Sequence, residues 1–418
     1  MVLAQRRKDA KAERPNSPWR LAVLARGFAG GGLYLVPFLI LSMAGASAAE
    51  LVSGGSIRAA LQKFVDDGTV SGAVGIVADR SGVRWHDAVG KSDLATGRAM
   101  EKDDIFWIAS MTKPMTGAGI AMLEEQGKLS AKDPVEKYLP EFKGMWVIAS
   151  QSKDELVLRR PARPITIHDL LTHTSGLNDF EPPRHDCSLE ELAIAYSQKP
   201  LLFEPGTKWK YCNTGINTLG RIIEVVSGTA YADFMRERFF EPLGMKGTTF
   251  WPSGERVAKS YKQKEGGGLE EIGIRHLKGE LSDRTRTAFP MGGLFSTAYD
   301  VARFYRMLLC GGELDGRRVL SAETVARMTS VQSGNIKTGF VDGMGYGYAC
   351  GIVREPQGVT AMLSPGTFGH GGAHGTQSWA DPKRGIVYIL MIQRVGLPNA
   401  DASDVRLAFQ QAASNAFP

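Results

Sequence analysis

Strand-forming patterns stand near both ends of this chain and are separated by a long middle section. Residues 73–77 and 83–86 flank a turn of Asp, Arg, Ser and Gly, a pattern typical of a β-hairpin. Residues 347–353, 376–380 and 386–392 predict three further strands, the last two joined by a turn-rich segment. Strands so far apart in sequence predict one antiparallel sheet assembled from distant parts of the chain.

Helical periodicity, with apolar residues recurring at intervals of three and four, dominates the rest of the chain. The segments predicted to be helical are residues 51–64, 189–196, 218–226, 231–240, 299–309, 322–328 and 403–417. The expected fold class is therefore α+β, an α/β sandwich in which helices flank the antiparallel sheet. We place the sheet lobe at about residues 51–110 and 290–418, and an inserted, mostly helical lobe at about residues 111–289. A site is expected in the cleft between them.

Most of the positive charge lies in the first 48 residues, which carry seven basic residues against Asp9 and Glu13. The net charge of this segment is +5, out of +6 for the whole chain, so the remainder offers no electrostatic argument for nucleic-acid binding. An apolar stretch at residues 33–44 and the small residues 46–48 follow, an order typical of a signal peptide. We predict a signal peptide at residues 1–48, a folded domain at 49–418, and a periplasmic or secreted protein. An uncleaved membrane anchor is the alternative.

The four cysteines are too few and too scattered for a disulfide framework, and their spacing matches no zinc pattern. They are Cys187, Cys212, Cys310 and Cys350. We expect them to be small core residues, with one disulfide left open. Neither a metal nor an organic cofactor is expected.

An apolar segment leads directly into Ser110, which Lys113 follows three residues later. Residues three apart on a helix share one face, so the amine can reach the hydroxyl. A serine hydroxyl is a weak nucleophile without a base, and burial can lower the pKa of a lysine until it serves as one. The pair predicts a nucleophile and its base. The structural alternative is a helix-capping serine beside a lysine that extends to solvent.

The same spacing recurs at Ser150 and Lys153, so the pair alone proves little. This second copy continues into Asp154 and Glu155 within a polar stretch. It predicts a solvated loop.

A second element, Tyr211-Cys212-Asn213, is the only Tyr-x-Asn in the chain and opens a predicted helix. Tyr211 can relay a proton if a neighbouring ammonium stabilises its phenolate. Asn213 can donate to a substrate carbonyl. The structural alternative is a partly buried tyrosine beside a helix-capping asparagine.

A third element, His370-Gly371-Gly372-Ala373, precedes the last predicted hairpin. Its glycines would let the backbone approach a substrate closely. An N–H group there, paired with that of Ser110, could form an oxyanion hole. A Lys-Thr-Gly sequence at residues 337–339 competes for this role but lies in a polar, glycine-rich region.

The three elements in this order resemble the serine β-lactamase and penicillin-recognising superfamily, which uses Ser-x-x-Lys, Tyr-x-Asn or Ser-x-Asn, and Lys-Thr-Gly or a His or Trp variant. The class C β-lactamase-like branch, which also holds family VIII carboxylesterases and D-amino-acid peptidases, is the most similar. Residues 170–177, 204–228 and 293–297 resemble segments of that branch. The likeness extends from about residue 51 to the C-terminus.

The resemblance implies that Ser110 attacks a carbonyl, that Lys113 and Tyr211 share proton transfer, and that Asn213 orients a substrate amide. It places His370 where the third-motif lysine usually stands. Substrate would lie along Gly371 and Gly372, with the N–H group of Ala373 in the oxyanion hole. Because histidine lacks the fixed charge that would bind a β-lactam carboxylate, efficient β-lactam turnover is not expected.

The favoured hypothesis is an exported serine hydrolase that forms an acyl-enzyme on ester, amide or β-lactam carbonyls. We expect carboxylesterase-like activity with weak β-lactamase activity. A D,D-carboxypeptidase or D-aminopeptidase acting on cell-wall-type peptides is one alternative, and a non-catalytic penicillin-binding-type sensor is another. The expected partner is a small-molecule substrate, without nucleic acid or metal, and with membrane contact only through an uncleaved leader.

Two other enzyme classes fit the sequence less well. His370 and His374 are four apart, as are zinc ligands on a helix, but the intervening glycines argue against a helix and no His-Glu-x-x-His occurs. An α/β-hydrolase would carry Gly-x-Ser-x-Gly, which the sequence lacks.

Overall fold

The computed structural model describes residues 48–180, 184–274, 277 and 279–418. Within them, seven strands form one antiparallel sheet: β1 (Gly72–Asp79), β2 (Val83–Gly90), β3 (Met344–Tyr346), β4 (Gly351–Val353), β5 (Phe368–Gly371), β6 (Gln377–Asp381) and β7 (Ile386–Met391). Their order across the sheet is β3-β4-β5-β6-β7-β1-β2. The N-terminal hairpin therefore joins the C-terminal strands through the pairing of β1 with β7.

The helices of the described residues surround this sheet and build the part of the chain between β2 and β3. They are α1 (Ala48–Asp66), α2 (Thr112–Glu125), α3 (Ile167–Leu171), α4 (Leu189–Ser197), α5 (Asn213–Ser227), α6 (Tyr231–Met235), α7 (Ala298–Leu309), α8 (Ala322–Met328) and α9 (Asp404–Ala416). Helices α1 and α9 pack against each other, and α7 packs on β1, β6 and β7.

Strand β7 shows why the sheet is covered on both faces. Successive side chains of a strand point to opposite sides, and β7 is apolar throughout. Val387 and Ile389 belong to the larger core, whereas Tyr388 and Leu390 belong to a second core that includes Phe409 of α9. A continuous apolar strand needs cover on both sides, and the two helical layers supply it.

Helix α2 is the most deeply buried helix segment near the predicted nucleophile. Every residue from Thr112 to Leu123 is buried, since the helix packs against α5 and α8. A polar side chain on this helix is therefore withdrawn from solvent whichever way it points. This placement gives Lys113 its surroundings.

Short strands outside the seven-stranded sheet add further β structure in both predicted lobes. The pairs are Phe106–Trp107 with Phe295–Ser296, Val147–Gln151 with Leu156–Arg159, and Glu313–Leu314 with Arg317–Arg318, and a three-stranded sheet contains Ser260–Gln263, Leu269–Ile272 and Arg394–Val395.

The predicted α+β fold class is confirmed, but three local predictions were wrong. Residues 347–353 are not one strand, because residues 347–350 turn between β3 and β4 and the Ala349 N–H donates to Leu171 instead. Ser150 lies on an exposed strand rather than in a loop. The helix predicted at 231–240 is α-helical only to Met235 and continues as a π-helical turn to Phe240.

The predicted signal peptide falls, apart from Ala48, outside the described residues. Among the helices that the structure does describe, none is both long and apolar enough to cross a membrane.

Candidate active site

Ser110 stands at a sharp turn where a strand gives way to a helix. The strand Phe106–Trp107 enters from the sheet lobe, and Gln393 fixes it by donating to the Trp107 carbonyl oxygen over 2.9 Å. Ala109 then takes a left-handed conformation with φ of +46°. A non-glycine residue rarely adopts this conformation, which is typical of strained functional turns. A short 3₁₀ segment, Ala109–Met111, continues into α2 and carries Ser110 to the pocket wall.

The Lys113 amine lies in the interior between the nucleophile and a carbonyl group. Its Nζ is 3.0 Å from the Ser110 Oγ and donates over 2.5 Å to the carbonyl oxygen of Met291. The side chain is fully buried. Burial lowers the pKa of Lys113 to about 7, although the nearby Asp179 carboxylate acts in the opposite direction. About half of the molecules therefore carry an uncharged amine near neutral pH.

This geometry lets Lys113 act as a base. An uncharged amine can donate an N–H to Met291 and direct its lone pair at the serine hydroxyl. The Met291 carbonyl is itself held in place, because the Met291 N–H donates over 3.1 Å to Asn217, a buried residue of α5. Asn217 in turn donates to the Tyr196 hydroxyl over 3.0 Å. The sequence analysis identified neither Met291 nor Asn217.

Tyr211 lies against the same amine but stays a neutral phenol. The Lys113 Nζ is 4.8 Å from the centre of its ring. Burial raises the pKa of Tyr211 well above 10, and its interaction with the Ser110 hydroxyl does not offset that rise. The sequence analysis required a stabilised phenolate for proton relay. The structure instead provides a phenol, which can pass a proton only by accepting another.

Asn213 begins α5 and lines the same pocket as Ser110. Its amide donates over 3.2 Å to Asp179, which also accepts from the Thr214 N–H over 2.8 Å. Asp179 therefore caps α5 from a distant loop and fixes the Asn213 amide. Local sequence patterns gave no sign of Asp179, because capping residues usually precede their own helix.

The third element runs along β5 and beyond its end, close to the nucleophile. A Cβ at Gly372 would lie 2.7 Å from the backbone carbonyl oxygen of Ile108, so this position needs glycine. A Cβ at Gly371 would meet the side-chain carboxylate of Asp401. Ala373 is exposed and lines the pocket together with Ser110. The oxyanion hole formed by their two N–H groups stays a prediction.

His370 uses both of its ring nitrogens within the protein. Nδ1 lies 2.6 Å from the Gly371 carbonyl oxygen and Nε2 lies 3.0 Å from the Tyr346 hydroxyl. Burial, with a smaller effect of Lys113, lowers the pKa of His370 to about 3. The competing Lys337 is 89% exposed and pairs with Asp342 at the surface.

The pocket beside Ser110 has a volume of about 190 Å³. Its polar groups are those already described, and its remaining wall is apolar. The apolar lining is Trp107, Leu277, Phe289 and Met291. Such a pocket can take an acyl group of modest size.

Nothing in the described part of the chain gathers three or more His, Cys, Asp or Glu side chains as a metal site would. The spaced histidines of the zinc hypothesis have separate partners, since His374 lies 3.0 Å from Ser260 and from Gln393 rather than turning to His370.

Comparison with known proteins identifies the family of the chain. The family model described as Beta-lactamase matches residues 57–413. The chain belongs to the beta-lactamase family of serine hydrolases. It is 32% identical to Protein Rv1367c of Mycobacterium tuberculosis (strain ATCC 25618 / H37Rv), over 83% of this chain and 91% of that protein. It is 27% identical to Esterase EstB of Burkholderia gladioli, over 77% of this chain and 85% of that protein.

Among solved structures, the fold is similar to that of EstCE1, a hydrolase with promiscuous acyltransferase activity. The TM-score is 0.73 at 23% sequence identity, covering 87% of this chain and 100% of that one.

The lowered pKa of Lys113 predicts how nucleophile reactivity depends on pH. Only the unprotonated amine accepts the serine proton, so reactivity should rise with pH through a midpoint near 7, from about one tenth of its maximum at pH 6 to about nine tenths at pH 8. The rate of labelling of Ser110 by a fluorophosphonate measures this directly. A flat profile from pH 6 to 8 would contradict an uncharged lysine base.

Asp179→Asn should move that midpoint to lower pH. The Asp179 carboxylate raises the pKa of Lys113, so its neutralisation removes that effect and leaves burial to lower the pKa further. The amide can still accept from the Thr214 N–H, which preserves the cap. Labelling rates measured from pH 5 to 8 report the shift, with Asp342→Asn at the exposed surface pair as the control. A shift to higher pH would contradict the electrostatic role of Asp179.

Proposed function

We propose that this protein is an exported carboxylesterase that hydrolyses uncharged esters through an acyl-enzyme on Ser110, with weak β-lactamase activity. One observation carries the preference for uncharged esters. The residue in the place of the third-motif lysine is His370, which is uncharged and hydrogen-bonded within the protein at both ring nitrogens. The similarity to Esterase EstB supports esterase chemistry.

The charges around the pocket support the same preference. None of the described residues that line the pocket carries a positive charge. The Asp179 carboxylate lies behind Asn213, to which it is hydrogen-bonded. A β-lactam or a peptide ending in D-alanine brings a carboxylate, which needs a positive partner once water is removed. A neutral ester has no such need. Peptidase activity is therefore the weaker hypothesis for this pocket.

The reaction follows from the geometry. Lys113 takes the proton of Ser110 as Oγ forms a bond to the ester carbonyl carbon. In this proposal the N–H groups of Ser110 and Ala373 receive the negative charge that develops on the carbonyl oxygen. As the carbon–oxygen bond to the alcohol breaks, the alcohol takes a proton that returns from Lys113, directly or through the Tyr211 hydroxyl. Water then attacks the carbonyl carbon of the acyl-enzyme and loses a proton to Lys113. As the ester bond to Ser110 breaks, Lys113 returns that proton to Oγ and the acid leaves.

A substrate panel with paired serine variants tests the activity. We expect short-chain p-nitrophenyl esters to be cleaved with higher kcat/KM than a chromogenic cephalosporin or a D-Ala-D-Ala peptide. Mass spectrometry should find the acyl adduct on Ser110, and Ser110→Ala should abolish both adduct and turnover. Ser150→Ala, at the other Ser-x-x-Lys, should change neither. An adduct that survives Ser110→Ala, or a peptide preferred to every ester, would overturn the proposal.

Export is proposed from the leader, whose basic region precedes an apolar stretch and small residues. The intact mass of protein recovered from a bacterial periplasm or culture medium tests it. We expect a species that begins close to residue 49. Full-length protein retained with the membrane fraction would favour the uncleaved anchor, and full-length protein in the cytosol would exclude export.

A further inference from the structure

A buried chain of hydrogen bonds connects three side chains behind the candidate site. The Tyr346 hydroxyl lies 3.1 Å from Nε2 of His173 and 3.0 Å from Nε2 of His370. All three residues are buried. His173 also has a φ of +59°, in the left-handed region that a residue with a side chain seldom occupies. The backbone turn at His173 is therefore a specific feature of this part of the fold.

The positions of the protons in this hydrogen-bond chain are fixed by the backbone groups at its two ends. The backbone N–H of Cys212 can only donate, and it points at Nδ1 of His173 over 3.1 Å. Nδ1 of His173 is therefore an acceptor, and its proton lies on Nε2. At the other end the Gly371 carbonyl oxygen can only accept, and it lies 2.6 Å from Nδ1 of His370. His370 therefore carries its proton on Nδ1 and has a lone pair on Nε2.

Tyr346 is the one group that can join these two histidines. Its hydroxyl accepts from His173 Nε2–H and donates its own proton to His370 Nε2. Every polar side-chain atom of this hydrogen-bond chain then has a partner, with both imidazoles neutral. The surroundings favour the same state. Burial, with a smaller effect of the Lys113 amine, lowers the pKa of both histidines, and burial raises the pKa of Tyr346.

The hydrogen-bond chain holds two elements of the candidate site, Tyr211 and the Gly371–Ala373 segment. The Lys210 N–H donates to the His173 carbonyl oxygen over 3.0 Å, and the Cys212 N–H donates to its ring. These two bonds bracket Tyr211, whose ring lies 4.6 Å from the His173 ring. At the far end, His370 holds the Gly371 peptide, which leads to the Ala373 N–H. A disturbance at Tyr346 would therefore reach Tyr211 and the Gly371–Ala373 segment together.

We infer that Tyr346 is a positioning residue, whose hydroxyl joins the Nε2–H tautomer of His173 to the Nδ1–H tautomer of His370 and thereby aligns Tyr211 and the Gly371–Ala373 segment with Ser110. The consequence for catalysis rests on the function proposed above, whereas the tautomers do not. Tyr346 does not touch the reacting atoms. It acts through the two histidines, so its loss should affect the chemical step more than substrate binding.

Tyr346→Phe tests the inference, since it removes only the hydroxyl. We expect kcat for the preferred ester to fall by about 10- to 100-fold, with a much smaller change in KM, because reacting groups are displaced rather than the acyl pocket. Tyr388→Phe is the matched control. Tyr388 is equally buried on β7 but belongs to the core behind the sheet, and its loss should leave kcat unchanged.

Nitrogen-15 NMR of histidine-labelled protein provides a readout that a merely structural role would not move. In the wild type, His173 should show the Nε2–H tautomer and His370 the Nδ1–H tautomer, neither titrating between pH 5 and 9. In Tyr346→Phe both tautomers should persist, because Cys212 and Gly371 set them, but the Nε2 shift of each ring should move as its hydrogen bond to the tyrosine hydroxyl is lost. Tyr388→Phe should leave both Nε2 shifts in place. Opposite tautomers in the wild type, or a Tyr346→Phe protein with unchanged Nε2 shifts and kcat, would overturn the inference.

The two proposals fail in distinguishable ways. Absence of ester hydrolysis by the wild type would remove the esterase proposal but leave the tautomer measurement valid on the same sample. If Tyr346→Phe does not fold, the wild-type spectrum still decides whether the chain of hydrogen bonds carries its protons as assigned.

Discussion

The burial of one lysine amine controls the chemistry of this protein. A buried ammonium is costly unless it is paired, and the structure offers Lys113 a carbonyl and a hydroxyl rather than a carboxylate in direct contact. The amine therefore gives up its proton at a pH where an exposed lysine would keep it. Helix α2 makes this unavoidable, because it is enclosed along nearly its whole length.

The neighbours of the amine come from separate parts of the chain and reinforce one another. Asn217 of α5 fixes the Met291 carbonyl that accepts from Lys113, and Asp179 fixes the start of the same helix. Helix α5 is therefore the element on which both the Lys113 contact with Met291 and the pocket-lining Asn213 depend. Side chains held by such a shared frame keep their geometry better than side chains on independent loops.

The sequence predicted those features that depend on local pattern. Apolar runs located β1, β2, β6 and β7, three- and four-residue spacing located most helices, and the spacing of Ser110 and Lys113 predicted a contact that the structure contains. The short strands β3 and β5 were not predicted, because glycine-rich segments such as Phe368–Gly371 have no apolar alternation. Whether such a segment forms a strand depends on its pairing with neighbouring strands, and a single sequence does not show that pairing.

Site residues that act through contacts between distant parts of the sequence were not predicted either. Asp179 caps a helix that begins 34 residues later, at Asn213, by accepting from the Thr214 N–H, and Tyr346 meets His173 across 173 positions. Neither contact leaves a periodic or spaced signal. His370 was found because of its neighbours in sequence, but its hydrogen bonds to Tyr346 and Gly371 came only from the fold.

The pairing of β1 with β7 has a consequence for how the chain is made. Val74 lies opposite Met391, so two neighbouring strands of the sheet join segments more than three hundred residues apart. Such a pairing must wait until the ribosome has released β7, and contacts of this range form slowly. The sheet can therefore close only late, after every segment between β1 and β7 has been synthesised.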